Sequence, residues 1–563
     1  MSLAVTAVIA AALFYNVVPD IIGDGDDVVA ETLGWTESVG GGTALRMVHL
    51  PAGWSASELV MSRPLVRVKR FCDGLRSSSA TPGVLLYAAP EAQEPKFDAA
   101  FSNRLVKIGS SIAATGVRFV MIEGLFTGFS REGSLFCANA LRSGFDAVNP
   151  RLAAGFAMSG DKHDCSHEIA AALAGAGNEA VVRVDNAVCL ERTLKDLPSV
   201  VVATQAKIAY APDSKVRYLD DADTSPHNLW SRSAVTMLAK FASSVFVGAA
   251  GGQFWYVGQR SADGYPVSPV YGEELAKRAG LFRTLSAGCA TAKPLGVALP
   301  MSRKDLGLSS ANWGEFAFGA FGIPFYATYE DGGDDVRAVM GSEAVKLMTD
   351  DELRRVFRGK TLVDGDAALE LTKRGLSGLL GVRAEKRDDL DYNCERLADG
   401  TFVRLSRSPS VPLLTPLSSD AEIDSELVHR RGFSDRYESV APACVIATNE
   451  LGGAVATVVY NCRLEPWNIW NEARRDALAK VLERLNGGPL AVRVEADQDM
   501  MVLSCRQSEK TLALIVNLGF DPVSPRVITS RRVGEFEILG EDGRWRSGKP
   551  GVLPCGGFVV LRF

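Results

Sequence analysis

Eight short apolar runs occur in the first 250 residues, and a stretch with helical character follows most of them. Short, nearly continuous apolar runs are typical of strands in a parallel sheet that is buried on both faces. Eight strands that alternate with helices favour a (β/α)8 TIM barrel over an open sheet. The predicted strands are Val5–Tyr15, Ala44–Leu50, Gly83–Ala88, Val117–Ile122, Ala153–Met158, Ala180–Val184, Val216–Leu219 and Ser244–Ala249.

After Thr291 the pattern changes to shorter strands mixed with helices, and after Gly487-Gly488-Pro489 it changes again to strands alone. The first change indicates a second α/β unit, and the second indicates a small β-sandwich. We therefore predict three domains: a catalytic barrel over residues 1–292, a flavodoxin-like α/β domain over 293–487 and a β-sandwich over 488–563.

The overall charge excludes one class of function. With 61 basic and 67 acidic residues the net charge is −6, and a nucleic-acid-binding protein would need a basic surface. The sequence contains no Gly-x-Gly-x-x-Gly or Walker-type loop at a strand–helix junction, so we expect no nucleotide cofactor.

The location of the protein is predicted from its N-terminus and its cysteines. The apolar run Ala4–Phe14 has no basic residue before it, and no run reaches the roughly 20 residues that span a bilayer. The ten cysteines include no Cys-x-x-Cys pair and are too sparse for a disulfide scaffold. We expect a cytoplasmic protein that neither crosses nor binds a membrane.

Polar side chains follow almost every predicted barrel strand. In TIM barrels the active site lies at the C-terminal ends of the strands, so these residues are expected to share one rim. Carboxylates, imidazoles, amides and a tryptophan on one rim suit a sugar. The candidate substrate-binding residues are Asn16, His49, Glu91, Asp161, His163, Asn186, Asp221, His227, Asn228, Gln253 and Trp255.

Two carboxylates among the strand ends suit a glycosidase. Glu123 ends the fourth predicted strand, and Asp223 follows the seventh, on the opposite side of an eight-strand barrel. A glycosidase needs one carboxylic acid to protonate the leaving oxygen and one carboxylate to attack or stabilise the sugar. We predict Glu123 as the acid/base and Asp223 as the nucleophile or stabilising carboxylate, with Asp220 and Asp221 as alternatives to Asp223.

Two segments resemble motifs of family-42 glycoside hydrolases, the β-galactosidase family of clan A. Asp223-Thr-Ser-Pro-His-Asn-Leu-Trp230 is similar to the family's seventh-strand motif, in which the nucleophile stands three residues before a proline. Gly252-Gln-Phe-Trp255, followed by Arg260 and Gly264, is similar to its eighth-strand segment. The order of domains is similar too. The resemblance implies a β-linked sugar substrate and a homo-oligomer, a trimer if the middle domain acts as the family's trimerisation domain does.

The chain departs from that family at both catalytic positions. The family has asparagine before the acid/base and glutamate as the nucleophile, whereas this chain has Ile122 and Asp223. Losing the asparagine removes a donor near the sugar 2-hydroxyl, and the shorter aspartate could widen the carboxyl separation from about 5–5.5 Å towards about 6.5–9.5 Å. The chain is thus a divergent relative. A catalytically silent carbohydrate-binding or scaffold protein is the alternative, and the stereochemical outcome stays open.

A metal-dependent hydrolase is a further alternative. His163 and His167 are four residues apart, so a helix would put them on one face beside Asp161. Imidazole and carboxylate groups at this spacing can bind zinc or another divalent ion. The same residues can instead cap the following helix, and we predict no metal and no cofactor.

Overall fold

The structure is a computed structural model. It describes residues 13–19, 25–50, 63–88, 95–126, 128–158, 165–175, 180–184, 194–210, 216–221, 233–255, 257, 269–304, 312, 314–329, 333–405, 410–461 and 471–563. The chain forms two compact units. The first comprises Met1–Arg192, Ala211–Ala290 and Leu539–Trp545, and the second comprises Thr193–Tyr210, Thr291–Ile538 and Arg546–Phe563. The three-domain division stays a prediction.

The first unit contains a closed barrel of eight parallel strands, so the predicted TIM barrel is confirmed. Closure is direct, because β1 pairs with both β2 and β8. The strands are β1 (Phe14–Val18), β2 (Thr43–His49), β3 (Thr81–Tyr87), β4 (Phe119–Glu123), β5 (Ala153–Met158), β6 (Ala180–Val184), β7 (Val216–Asp221) and β8 (Gly251–Trp255).

Helices follow the strands. They are α1 (Asp26–Ser38), α2 (Arg63–Leu75), α3 (Ala99–Ala113), α4 (Arg131–Val148), α5 (Ser166–Ala174), α6 (Leu197–Tyr210), α7 (Ala234–Phe246), α8 (Pro269–Lys277) and α9 (Ala279–Cys289). Helix α6 follows β6 in the chain but belongs to the second unit. None of the described helices combines the length and apolar character that a bilayer crossing requires.

Alternate residues of the barrel strands face opposite sides. Tyr15, Leu45 and Leu219 belong to one buried cluster inside the barrel. The intervening residues face the helices, and Val18 and Ala44, for example, pack against α1 and α2. This period of two decides which strand-end side chains reach the barrel mouth.

Two strand predictions need correction. The predicted eighth strand, Ser244–Ala249, is wrong, because residues 244–246 end α7 and β8 begins at Gly251. Seven residues separate the predicted start from the observed start, and the apolar end of a buried helix explains the error. The predicted first strand, Val5–Tyr15, overlaps β1 at Phe14 and Tyr15, and its residues 5–12 lie outside the described residues.

The second unit contains a nine-stranded sheet of order β11-β10-β12-β13-β20-β19-β18-β15-β16. Neighbours from β11 to β20 are parallel and those from β20 to β16 antiparallel, so an α/β half continues into a meander. Its strands are β10 (Val297–Pro300), β11 (Phe325–Thr328), β12 (Arg337–Val339), β13 (Thr361–Val363), β15 (Cys394–Arg396), β16 (Phe402–Arg404), β18 (Glu422–Arg430), β19 (Tyr437–Thr448) and β20 (Ala454–Val458). A separate pair is formed by β14 (Val382–Lys386) and β17 (Pro412–Pro416). Besides α6, the helices of the second unit are α10 (Gly314–Phe321), α11 (Ser342–Leu347), α12 (Asp350–Phe357), α13 (Gly365–Lys373) and α14 (Glu472–Asn486).

The C-terminal strands form a sandwich, as predicted. A six-stranded sheet of order β26-β25-β27-β23-β22-β9 faces the pair β21-β24 across a shared apolar core that includes Val494, Val502 and Ile515. The strands are β9 (Lys293–Leu295), β21 (Val492–Glu495), β22 (Met500–Gln507), β23 (Lys510–Asn517), β24 (Arg526–Thr529), β25 (Phe536–Leu539), β26 (Trp545–Gly548) and β27 (Phe558–Arg562).

The backbones of α3 and α4 touch where two glycines meet. A Cβ atom on Gly144 would lie 2.3 Å from the carbonyl oxygen of Val106 and 3.0 Å from the Cα of Gly109. The Ser110 hydroxyl donates a hydrogen bond of 3.1 Å to the Gly144 carbonyl across the same contact. The two helices can pack this closely only because both positions lack a side chain.

We predict that Gly144→Ala destabilises the protein by about 1–3 kcal/mol through overpacking, although alanine is the better helix former. The matched control is Gly34→Ala in α1, where nothing lies within 4 Å of the added methyl group. That change should stabilise by about 0.5–1 kcal/mol. Thermal unfolding of both variants measures the difference, and a Gly144→Ala protein as stable as the Gly34→Ala protein would contradict the close contact.

Candidate active site

Three neighbouring strands place a row of polar side chains at the C-terminal mouth of the barrel. His49 on β2 is in register with Tyr87 on β3, and Tyr87 is in register with Glu123 on β4. Each is the last residue of its strand. Each also faces the barrel interior, because it lies an even number of residues from an interior residue of the same strand. The His49 and Tyr87 rings meet edge to face with centroids 5.1 Å apart. The structure thus brings the predicted residues His49 and Glu123 to one side of the mouth.

Glu123 forms a bidentate ion pair with Arg183 of β6. The Arg183 Nη1 donates to Glu123 Oε2 at 3.1 Å, and Nη2 lies 3.0 Å from Oε1. The side chain of Arg183 is 3% exposed and that of Glu123 is 19% exposed. Ala157 of the intervening strand β5 is in register with Arg183, and its small side chain leaves room for the guanidinium to reach β4.

The opposite side of the mouth is formed by β7 and β8. Gln253 has interior parity, is fully buried, and is in register with Asp221 of β7 and Tyr15 of β1. Within the described part of the chain, neither polar atom of the Gln253 amide has a hydrogen-bond partner. Trp255 stands two residues later on the same face, half-buried against the interior cluster. The backbone of Asp221 ends β7 on the interior side, and its side chain lies outside the described residues.

Two other polar residues that the sequence places near the rim face away from it. Asn16 has the outward parity of β1, is fully buried, and its Nδ2 donates to the Val257 carbonyl at 2.8 Å. Asn16 was predicted to contact substrate, but its side chain faces away from the barrel interior. Its hydrogen bond instead holds the chain after β8. Asp220 also faces outward, with its carboxylate 3.8 Å from the ammonium of Lys240 in α7. Asp220 therefore faces away from the barrel interior, and Asp223 stays the proposed second carboxylate.

Seven predicted site residues lie outside the described residues, so their contacts stay predictions. They are Glu91, Asp161, His163, Asn186, Asp223, His227 and Asn228. Among the residues that the structure describes, no group of three or more His, Cys, Asp or Glu side chains could hold a metal ion.

The sequence prediction missed Tyr87 and Arg183. The sequence around each of them could have identified it as a site residue. Tyr87 stands where the apolar run of β3 ends, and Arg183 interrupts the otherwise apolar sequence of β6. A charged side chain on the inward face of a buried strand has to find a partner inside the barrel, because an unpaired buried charge is costly.

The second unit has a polar cluster of its own beneath α14. Glu395 accepts hydrogen bonds from Ser425 at 2.7 Å and from Tyr460 at 3.1 Å, and it lies 2.7 Å from Arg474. Burial raises the pKa of the Tyr460 hydroxyl well above its usual value, which keeps it a neutral donor.

A cavity of about 60 Å³ adjoins this cluster, and a more open groove of about 640 Å³ lies beside it. The groove's cations Lys480 and Arg484 are both paired with carboxylates, which is typical of a structural ion network.

Comparisons with known proteins identify the architecture. The chain is similar in structure to a cold-adapted β-galactosidase from Rahnella sp. R3, with 12% sequence identity, 99% of each chain covered and a TM-score of 0.64. It is similar to α-L-fucosidase isoenzyme 2 from Paenibacillus thiaminolyticus, with 10% identity, 98% and 99% covered and a TM-score of 0.63. It is also similar to Gan42B, a GH42 β-galactosidase from G. stearothermophilus, with 11% identity, 98% of each chain covered and a TM-score of 0.61.

These likenesses extend over nearly the whole chain, and they confirm at the level of the fold the predicted resemblance to family-42 β-galactosidases. At identities of 11–12%, the likeness is one of fold. No protein-family model matches the sequence, and no curated protein matches it significantly.

Asn16 and Gln253 are predicted to respond in opposite ways when their amides are replaced by apolar groups of similar size. Asn16→Leu should destabilise by about 1–3 kcal/mol, because it leaves the buried Val257 carbonyl without its donor. Gln253→Met should be neutral or stabilising, because no described partner loses a bond. Urea or thermal unfolding compares the two. A destabilised Gln253→Met protein would mean that its amide is hydrogen-bonded in the folded state.

Proposed function

We propose that the protein is a glycoside hydrolase that acts on a β-linked carbohydrate at the C-terminal mouth of its barrel. The observation that carries the proposal is the position of Glu123. It ends β4 on the interior side, keeps part of its carboxylate accessible, and lies in one row with Tyr87 and His49. A partly accessible carboxylate at the mouth of a TIM barrel is suited to proton transfer to a bound substrate.

Glu123 is the proposed general acid and Asp223 its partner carboxylate. Glu123 gives a proton to the glycosidic oxygen while the bond from that oxygen to the anomeric carbon breaks. In the retaining course Asp223 attacks the anomeric carbon, and water, losing its proton to Glu123, later releases the sugar. In the inverting course Asp223 takes the proton from a water that attacks directly. The retaining course returns the proton to Glu123 within one turnover, whereas the inverting course leaves it on Asp223, from which it must pass back to Glu123 through solvent.

The other proposed contacts follow from the mouth's chemistry. Trp255 offers an aromatic face to the apolar side of a sugar ring, and the Gln253 amide has donors and an acceptor without described partners. His49 is a further proposed contact from the described part of the mouth, and Asp221, whose backbone ends β7, is included in the proposal. The proposal also includes Glu91, Asp161, His163, Asn186, His227 and Asn228, but not Asn16.

The names of the structurally similar proteins support the substrate class. Two of those compared above are β-galactosidases and one is an α-L-fucosidase, and a further similar chain with a TM-score of 0.50 is an exo-β-1,4-mannosidase. All act on glycosides, but on different sugars. We therefore propose the class of reaction and leave the sugar to a panel of nitrophenyl glycosides and natural oligosaccharides.

Glu123→Gln is predicted to lower kcat/KM by about 10²–10⁴-fold on the best natural oligosaccharide of that panel, because it removes general acid catalysis. Turnover of natural oligosaccharides is the measurement. Glu132→Gln, an exposed change in α4, is the control and should leave turnover unaltered. A Glu123→Gln enzyme as active as the wild type would exclude Glu123 as the acid.

Asp223→Asn is predicted to cause a similar loss, because the second carboxylate takes part in the same step. In an Asp223→Ala enzyme, added azide should restore turnover and give a glycosyl azide of inverted configuration if Asp223 is the nucleophile. Full activity of the Asp223→Asn enzyme would remove Asp223 from the mechanism.

A catalytically silent carbohydrate-binding protein is the second candidate function. The observation that favours it is the ion pair, since both Glu123 oxygens already have a partner in Arg183. Under this alternative, calorimetry would detect a sugar that binds at the mouth, and no member of the panel would be hydrolysed.

We also propose a homo-oligomer, a trimer if the middle of the chain pairs as in family-42 enzymes. Light scattering coupled to gel filtration should then give three times the 60.2 kDa chain mass. A monomer would contradict the proposal. The proposed location is the cytoplasm, which is supported by the eight described cysteines, all free thiols.

A further inference from the structure

The Glu123–Arg183 pair has a consequence for catalysis, which rests on the proposed function. We propose that Arg183 is a positioning residue that orients the Glu123 carboxyl towards the leaving group. Arg183 acts only through Glu123 and transfers no proton itself.

The geometry of the pair supports orientation. The two terminal nitrogens of Arg183 each reach one oxygen of Glu123, at 3.1 and 3.0 Å. A planar guanidinium held this way fixes the plane of the carboxyl as well as its distance, which a lysine cannot do. The carboxyl at the end of β4 would otherwise be free to rotate about its own side-chain bonds.

The burial of the two partners differs in a way that suits this role. The side chain of Arg183 is 3% exposed, so its position is set by the barrel interior. The side chain of Glu123 is 19% exposed, so part of it stays accessible at the end of β4. A buried cation thus holds an accessible carboxylate, and each carboxylate oxygen keeps a second lone pair for a substrate.

The strand arrangement explains how Arg183 reaches Glu123. Arg183 lies two strands away, across β5, where the register partner of Arg183 is Ala157. A larger residue at 157 would occupy the path of the guanidinium. Three inward positions on consecutive strands therefore cooperate: an acid, a small residue and an arginine.

The test compares substrates with good and poor leaving groups. A general acid matters most when the leaving oxygen is basic, and hardly at all when the leaving group is 2,4-dinitrophenolate. For Arg183→Met, we expect kcat/KM to fall by about 10²-fold on a disaccharide and by less than about tenfold on the dinitrophenyl glycoside of the same sugar. Arg183→Lys, which keeps the charge but not the fork, should fall between wild type and Arg183→Met, and added guanidinium should partly restore Arg183→Met.

The matched control is Arg142→Met in α4. Arg142 is also a buried arginine of the first unit, with its Nε donating to Asp146 at 2.9 Å and its Nη1 donating to the Leu152 carbonyl at 2.7 Å. Loss of Arg142 should lower the unfolding temperature. It should leave unaltered the ratio of kcat/KM on the disaccharide to kcat/KM on the dinitrophenyl glycoside. If Arg183→Met fails to fold, the ratio measured for Arg183→Lys decides in its place.

A double-mutant cycle separates positioning from direct contact with substrate. On the disaccharide, where Arg183→Met alone causes a large loss, it should cause no further loss in a Glu123→Gln background, because its effect passes through Glu123. Equal losses on both substrates, or additive losses in the double mutant, would overturn the inference while leaving the proposed function intact. A wild-type protein without activity on any glycoside would overturn both.

Discussion

Closure of the eight-strand barrel is the constraint on which the candidate site depends. Because β1 pairs with both β2 and β8, no strand of the barrel is left with a free edge, and the register between neighbours is fixed around the ring. With side chains alternating in and out, a shift of one residue in any strand would exchange its interior and exterior sets. The row of His49, Tyr87 and Glu123 exists because three consecutive strands end in register.

The charge balance at the mouth follows from the same register. Arg183 brings a buried positive charge into an interior otherwise filled by residues such as Leu85 and Met121. Such a charge is tolerated only with a close partner, and Glu123 supplies it through two contacts. The pair therefore ties the stability of the barrel to the position of the proposed acid. The two candidate functions differ in what the ion pair does. In a glycoside hydrolase it orients the acid, and in a silent carbohydrate-binding protein it keeps the carboxylate from the substrate.

The sequence predicted the fold class and several strands well, but it predicted single side-chain environments poorly. Ala153–Met158 and Ala180–Val184 were recognisable because buried parallel strands are short and nearly all apolar. The end of α7 was mistaken for a strand for the same reason, since a fully buried helix end is equally apolar. In the second unit, β12 changes into α11 at Gly341, whose φ of 86° glycine adopts without strain. Asn16 and Glu123 both stand at strand ends in the sequence. Only the structure shows that Asn16 faces outward and holds a loop, whereas Glu123 faces inward at the mouth.

The amide of Gln253 gives a further reason to place function at the mouth. A buried amide without partners weakens a fold, and most buried polar groups are therefore paired. In the outward layer Asn16 donates to a backbone carbonyl and Asp220 lies beside Lys240. Gln253, on the inward face below Trp255, has no described partner for either end of its amide. Each of these two outward groups thus has a partner for at least one polar atom, whereas the Gln253 amide has none among the described residues. A hydroxyl-rich ligand at the mouth would offer hydrogen bonds of the kind that this amide lacks.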